Sequence, residues 1–260
     1  MNRLTSLLNN KDKGLLSIFL TAGYPELDST NPIIEALDKN GIDLVEIGIP
    51  FSDPMADGPV IQGSSSKALE NGMSVRKLLS QVKEARKKVK EMPFILMGYL
   101  NPIMKYGIEK FFQDANDAEV DGLIIPDLPF DDYISEFKDL SKKYDLPVIM
   151  LITPETSEER IKLIDDHCDG FIYMVSSAST TGAKDKYTQE QIDYFNRINE
   201  MDLKHKRLIG FGISNPETFN EACKYSSGAI IGSHFIKCLD QYKESPDNAV
   251  KELLSSIGKI

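Results

Sequence analysis

The chain has 260 residues, 41% of them hydrophobic and 27% charged, with a formal net charge of −10 and a pI near 4.9. That length accommodates one large α/β domain, while the acidic balance excludes a phosphate-backbone footprint and with it a nucleic-acid partner. No apolar run approaches the ~20 residues that span a bilayer, the start Met1-Asn2-Arg3-Leu4-Thr5-Ser6-Leu7-Leu8 is too broken for a signal peptide, and three cysteines (Cys168, Cys223, Cys238) without CxxC spacing suit a reducing, cytoplasmic compartment.

Short apolar runs alternate with helical patterns from one end to the other. Strands are expected over Leu15–Thr21 and Leu44–Gly48, then at 94–99, 122–126, 148–152, 170–175, 207–210 and 229–232. Between them apolar residues recur at three-and-four spacing, as in Ile33-Ile34…Leu37 and Val75…Leu78-Leu79…Val82. The charge run Lys83-Glu84-Ala85-Arg86-Lys87-Lys88-Val89-Lys90 at the end of the second reads as the solvated face of a helix. Eight strand–helix alternations without a break in composition predict one α/β domain over residues 1–260, a (β/α)8 TIM barrel with an extra N-terminal helix. The strands are nearly continuous in apolar character, as parallel strands covered on both faces should be.

The second strand carries the sharpest signal. In Val45-Glu46-Ile47-Gly48-Ile49-Pro50-Phe51-Ser52-Asp53-Pro54-Met55-Ala56-Asp57-Gly58-Pro59 an apolar run delivers the carboxylate Glu46 to a strand tip, and a shaped Gly/Pro loop adds Asp53 and Asp57. An acid inside an apolar strand is costly unless it has a function, and a barrel enzyme assembles acid/base chemistry at such tips. An ordinary turn whose aspartates cap the next helix is the plainer alternative.

The last two strands end in Gly210-Phe211-Gly212-Ile213-Ser214-Asn215-Pro216 and Ile231-Gly232-Ser233-His234, two glycine-bearing turns that each open a helix. Neighbouring helix N-termini with free backbone N–H groups form an anion cradle, and in barrels the seventh and eighth loops are the usual phosphate position. Ser214 or Asn215 would cap the helix that Pro216 starts. No strand has a central lysine for Schiff-base chemistry. His167, His205 and His234 are scattered and form no metal set; no metal site is expected. The polar connection 176–189, rich in small residues, is composed either for closing over a ligand or for an unstructured surface loop.

The string from Val45 through Pro59 to Gln62 closely resembles the signature of the tryptophan synthase alpha chain family. The similarity runs in order through Tyr99-Leu100-Asn101-Pro102, Pro126-Asp127-Leu128-Pro129, Thr181-Gly182, Gly210-Phe211-Gly212 and Gly232-Ser233. The resemblance implies retro-aldol cleavage of indole-3-glycerol phosphate to indole and glyceraldehyde 3-phosphate, completing tryptophan synthesis together with a β chain. On that reading Glu46 is the general acid/base and Asp57 holds the indole N–H. Glu46 would have a raised pKa while Asp57 stays ionised. Phe19, Met97, Tyr99, Ile125, Asp127, Tyr173, Thr181 and Phe211 would surround the substrate, with Gly182, Gly212, Gly232 and Ser233 at its phosphate.

The family's αββα complex passes indole through a tunnel to a pyridoxal-phosphate β chain. Asp53, Pro54, Asn101 and Pro129 match its β-facing positions, and this chain has no cofactor signature of its own. The pattern departs at Ser177-Ala178-Ser179-Thr180, where many relatives carry an Arg and a Gly. Two other readings remain open. Another phosphate-binding barrel enzyme should show a strand-end lysine or metal-ligand histidines, and a non-catalytic activator of a β chain should not need both carboxylates.

Overall fold

The computed structural model describes residues 2–176 and 186–260. Among these residues nine parallel strand segments follow one another: β1 (Leu15–Thr21), β2 (Leu44–Gly48), β3 (Phe94–Met97), β4 (Gly122–Ile124), β5 (Val148–Ile149), β6 (Leu151–Ile152), β7 (Phe171–Val175), β8 (Lys206–Gly210) and β9 (Gly228–Ile231). Their order across the sheet is β5-β4-β3-β2-β1-β9-β8-β7-β6. Its two ends are halves of one extended stretch, parted at Met150, whose carbonyl accepts from the Tyr173 N–H at 3.0 Å. The sheet therefore meets itself, and the eight expected barrel positions are those found.

Strand ends differ from expectation by a residue or two. The tail at 98–99 leaves the ladder because Tyr99 is already the N-cap of the helix Leu100–Tyr106. At the other edge of the expectation, β8 begins at Lys206 and β9 at Gly228.

Side chains alternate between two separate cores. Positions pointing outward, such as Ile18, Val45, Leu96 and Ile209, pack under the surrounding helices. Those pointing inward, such as Leu15, Leu44, Ile95, Ile124 and Leu208, fill the barrel. The helix Arg3–Asn10 closes the lower end, with Leu4 and Leu8 packed into the interior cluster and the Asn2 side chain accepting from Leu4 N–H at 2.9 Å. No helix among the described residues is long and apolar enough to cross a membrane.

The charge run at 83–90 is not wholly solvated. Arg86, in the helix Val75–Lys88, is 1% exposed. Its guanidinium pairs with Asp121 at 2.7 Å, donates to the carbonyls of Val89 and Met92, and lies 3.5 Å from the Phe94 ring centroid. A run of like charge read along the sequence hides that one helix position in three or four faces inward. Burial pushes Arg86 down to about 10 and Asp121 up, each opposed by the charge of the other.

Candidate active site

The upper, C-terminal ends of the strands surround a cavity of about 1000 Å3 counting its open mouth, a size suited to a small ligand. Glu46 stands at its floor. Register sets it beside Phe19 of β1 and Ile95 of β3, pointing inward. It is fully buried, with Oε1 accepting from the Ser17 hydroxyl at 2.7 Å and Oε2 without a partner among the described residues. Burial raises its pKa to about 7, against the lowering effect of Ser17. An unpaired oxygen on a buried carboxyl is costly in a resting fold and is suited to a ligand.

Asp57 reaches the same cavity from the loop after β2. The plainer capping alternative does not hold, because the helix Pro59–Glu70 has Gly58 as N-cap and no side-chain cap bond. Instead Asp57 Oδ2 accepts from the Tyr99 hydroxyl at 3.0 Å, and that hydroxyl accepts from Ala56 N–H at 3.0 Å, pinning the loop. Burial raises Asp57 to about 6, Tyr99 opposing. At about 6, Asp57 is mostly ionised at neutral pH.

Aromatic walls depend on two glycines. A Cβ on Gly210 would stand 2.3 Å from the Tyr173 hydroxyl, and one on Gly48 would stand 2.5 Å from the Phe19 ring. Only bare backbone at these strand ends lets the rings lie across the barrel mouth. Tyr173 is shifted well above its ordinary value, first by burial and then by the charges of Glu46 and Asp57, which places both carboxylates near it. Phe211, at φ 71°, holds the left-handed conformation, and its ring meets Tyr173 edge-on at 6.4 Å. Such backbone strain in a bulky residue is found where structure over-determines it, often at sites.

Gly212, Gly232 and Ser233, at the ends of β8 and β9, line the same cavity, where the two glycine turns meet. Asn215 caps the helix Pro216–Tyr225, accepting from Thr218 N–H at 2.8 Å, and Ser233 opens the helix Ser233–Gln241. The residues expected around a ligand thus divide. Phe19, Glu46, Asp57, Met97, Tyr173, Phe211, Gly212, Gly232 and Ser233 share one cavity. Tyr99 lines an adjoining pocket that also touches Asp57 and Met97.

Three expectations are corrected. Ile125 does not face the cavity; it is buried under the helices, while its neighbour Ile124 points inward, because a slip of one residue reverses the face of a strand. Asp127 is exposed and braces the preceding loop, its Oδ1 accepting from Leu100 N–H at 2.8 Å at the start of the helix Leu100–Tyr106 that follows β3. Pro54 is buried against the side pocket and offers no outer surface, whereas Asp53, Asn101 and Pro129 are exposed. Thr181 and Gly182, with the departure at 177–180, lie outside the described residues.

Sequence reading passed over Ser17, a hydroxyl in the apolar run Leu15-Leu16-Ser17-Ile18-Phe19, which carries the same signal as Glu46 itself. It also passed over Lys237, which lines the cavity four residues after Ser233 and so lies on the same helix face.

Comparison with known proteins identifies the family. The sequence profile of the tryptophan synthase alpha chain family matches residues 5–260. The chain is 56% identical to the tryptophan synthase alpha chain of Parabacteroides distasonis over 257 residues, covering 99% of each. It is 53% identical to that of Flavobacterium psychrophilum over the full length of both. Among solved structures, tryptophan synthase subunit alpha from Legionella pneumophila superposes with a TM-score of 0.89 at 36% identity, covering 99% of this chain and 97% of that one. A carboxyl buried at a barrel floor, a second carboxylate on the loop above it and glycine turns at the ends of β8 and β9 are thus carried on a chain alike from end to end, and the protein belongs to the tryptophan synthase alpha chain family, enzymes of tryptophan synthesis.

Proposed function

We propose that the cavity cleaves indole-3-glycerol phosphate to indole and glyceraldehyde 3-phosphate, with Glu46 as general acid/base. The observation that carries this is the fully buried Glu46, unpaired at Oε2 and raised to about 7. A group titrating near neutrality serves as acid and base in turn. Protonated Glu46 delivers its proton to indole C3, giving an indolenine whose positive ring nitrogen Asp57 steadies through the N–H. Removal of the proton from the adjacent glycerol hydroxyl then forms the aldehyde. The electrons of the breaking C–C bond return to the ring, releasing indole. Phe19, Tyr173 and Phe211 hold the ring, and the turns at Gly212, Gly232 and Ser233 accept the phosphate.

Indole absorbance after addition of indole-3-glycerol phosphate to the purified chain, with and without a β chain, tests the reading; no indole under either condition would overturn it. The β chain and its pyridoxal phosphate are implied by the family resemblance. Among solved neighbours is a tryptophan synthase from M. tuberculosis in an aminoacrylate-bound form, with a TM-score of 0.85 at 26% identity. The side pocket that Asp57 shares with Pro54, Tyr99 and Pro126 is the exit assigned to indole on this reading. Exposed Met55 and Met104 beside Asp53 and Asn101 supply apolar surface for the partner, in an αββα assembly of the cytoplasm.

Tyr99→Phe removes the hydrogen bond that lowers Asp57 and frees Ala56 N–H. The Asp57 pKa should rise above about 6, so the acid limb of the pH–rate profile moves to higher pH and kcat falls roughly tenfold. Gly210→Ala should displace Tyr173 and lower kcat/KM at least about tenfold, with a stability cost of about 1–3 kcal/mol from overpacking, read by steady-state kinetics and urea unfolding.

A further inference from the structure

The cavity is electrically divided, and the division singles out a residue. Its two carboxylates, Glu46 and Asp57, come from β2 and the loop that follows. Apart from them and the Tyr173 phenol, the charged or titratable lining among the described residues is His234 and Lys237, both on the helix Ser233–Gln241. Lys237 follows Ser233 by one helical turn and so extends the face that presents Ser233 to the cavity. It has no carboxylate partner among the described residues, in a protein whose surface lysines are often paired.

His234 does not share that charge. The Ser256 hydroxyl donates to the Leu253 carbonyl at 2.7 Å and accepts from His234 Nε2–H at 2.7 Å, which fixes the ring. Burial, then Lys237, push His234 below its ordinary value, with Glu252 opposing, so the imidazole is neutral at working pH. The full cation at this end is the lysine.

We propose that Lys237 is a specificity-determining residue of the cavity: its ammonium meets the dianionic phosphate of the substrate at the Gly212–Gly232–Ser233 turns and orients the ligand with its ring toward the carboxylates. This rests on the reading of the cavity given under Proposed function. Backbone N–H groups supply geometry but no net charge, and the ionised Asp57 in the same cavity repels an anion. Lys237, on the helix that opens at Ser233, offsets that repulsion at the turns and disfavours the reversed pose.

The test uses the full chain at low ionic strength. Lys237→Met should raise KM for indole-3-glycerol phosphate at least about tenfold with kcat within about threefold, the signature of lost binding rather than lost chemistry. Lys237→Arg should retain most of the affinity. For the wild type KM should climb with added salt, and for Lys237→Met it should not. Indole-3-glycerol, which lacks the phosphate, should be handled alike by both. Calorimetric titration with glycerol 3-phosphate gives a readout independent of turnover, with affinity at least about tenfold weaker in Lys237→Met. Equal affinity of wild type and Lys237→Met for glycerol 3-phosphate would overturn the proposal. A wild type that binds glycerol 3-phosphate through Lys237 but releases no indole would overturn the proposed reaction and leave the lysine's role standing.

Discussion

Glu46→Gln should end indole release and, at pH 8, make the protein more stable. The first half follows from proton transfer at a single buried carboxyl: glutamine keeps the shape and loses the proton, and general acid/base contributions of this kind are worth about 10²–10⁴ in rate. The second half follows from linkage. The unfolded chain releases this proton near the ordinary value of 4.5, whereas the fold holds it up to about 7. Between those values the folded state binds more protons than the unfolded, so stability falls as pH rises through the window and is level above it. The full difference is on the order of 3 kcal/mol. Urea unfolding should therefore show Glu46→Gln close to wild type near pH 4–5 and more stable by about 3 kcal/mol at pH 8. An unchanged gap across that range would show that Glu46 titrates normally and would remove the basis for its catalytic assignment.

Asp121→Ala should be the most destabilising single change with no effect on chemistry. Asp121 is 2% exposed, pairs with Arg86 at 2.7 Å and Arg3 at 3.1 Å, and accepts from Phe94 N–H at 2.9 Å. Removing it leaves the Arg86 charge buried and uncompensated, at a cost of about 3–5 kcal/mol. Adding Arg86→Met to Asp121→Ala should recover part of the loss, since the stranded charge goes too. Because the cluster ties the start of β4 to the helix Val75–Lys88 at the lower end of the barrel, KM and kcat of the surviving folded protein should stay at wild-type values. Additive losses in the double variant, seen by urea unfolding, would show that the pair is not coupled.

Much of this protein is local and therefore legible. Period and turn chemistry identify eight strand positions, because apolar runs and Gly/Pro punctuation are set by each segment's own backbone needs. The acid in Val45-Glu46-Ile47 stands out for the same reason: it contradicts its surroundings within a few residues. Asn215 as a helix cap and the opening of a helix at Ser233 are equally local.

What remained hidden depends on direction and on distant neighbours. Ile124 and Ile125 are chemically identical, and only the pleat of β4 within a closed barrel decides which of them faces the cavity. Arg86 sits in a basic run, and only the packing of its helix against Asp121 and Phe94 draws it inward. Asp127 looks like a binding residue until the fold sets it against the Leu100 N–H. The elevated value of Asp57 arises from burial under the barrel mouth, which no neighbouring residue in sequence announces. Sequence alone determined that a buried acid at the tip of β2 had to have a function, because an uncompensated carboxyl in an apolar strand is too costly to keep otherwise. Tertiary structure decided what surrounds it, because strand closure and helix packing bring Tyr173 and Lys237 to its cavity and set the Ser17 hydroxyl against its carboxyl, all from segments distant in the chain.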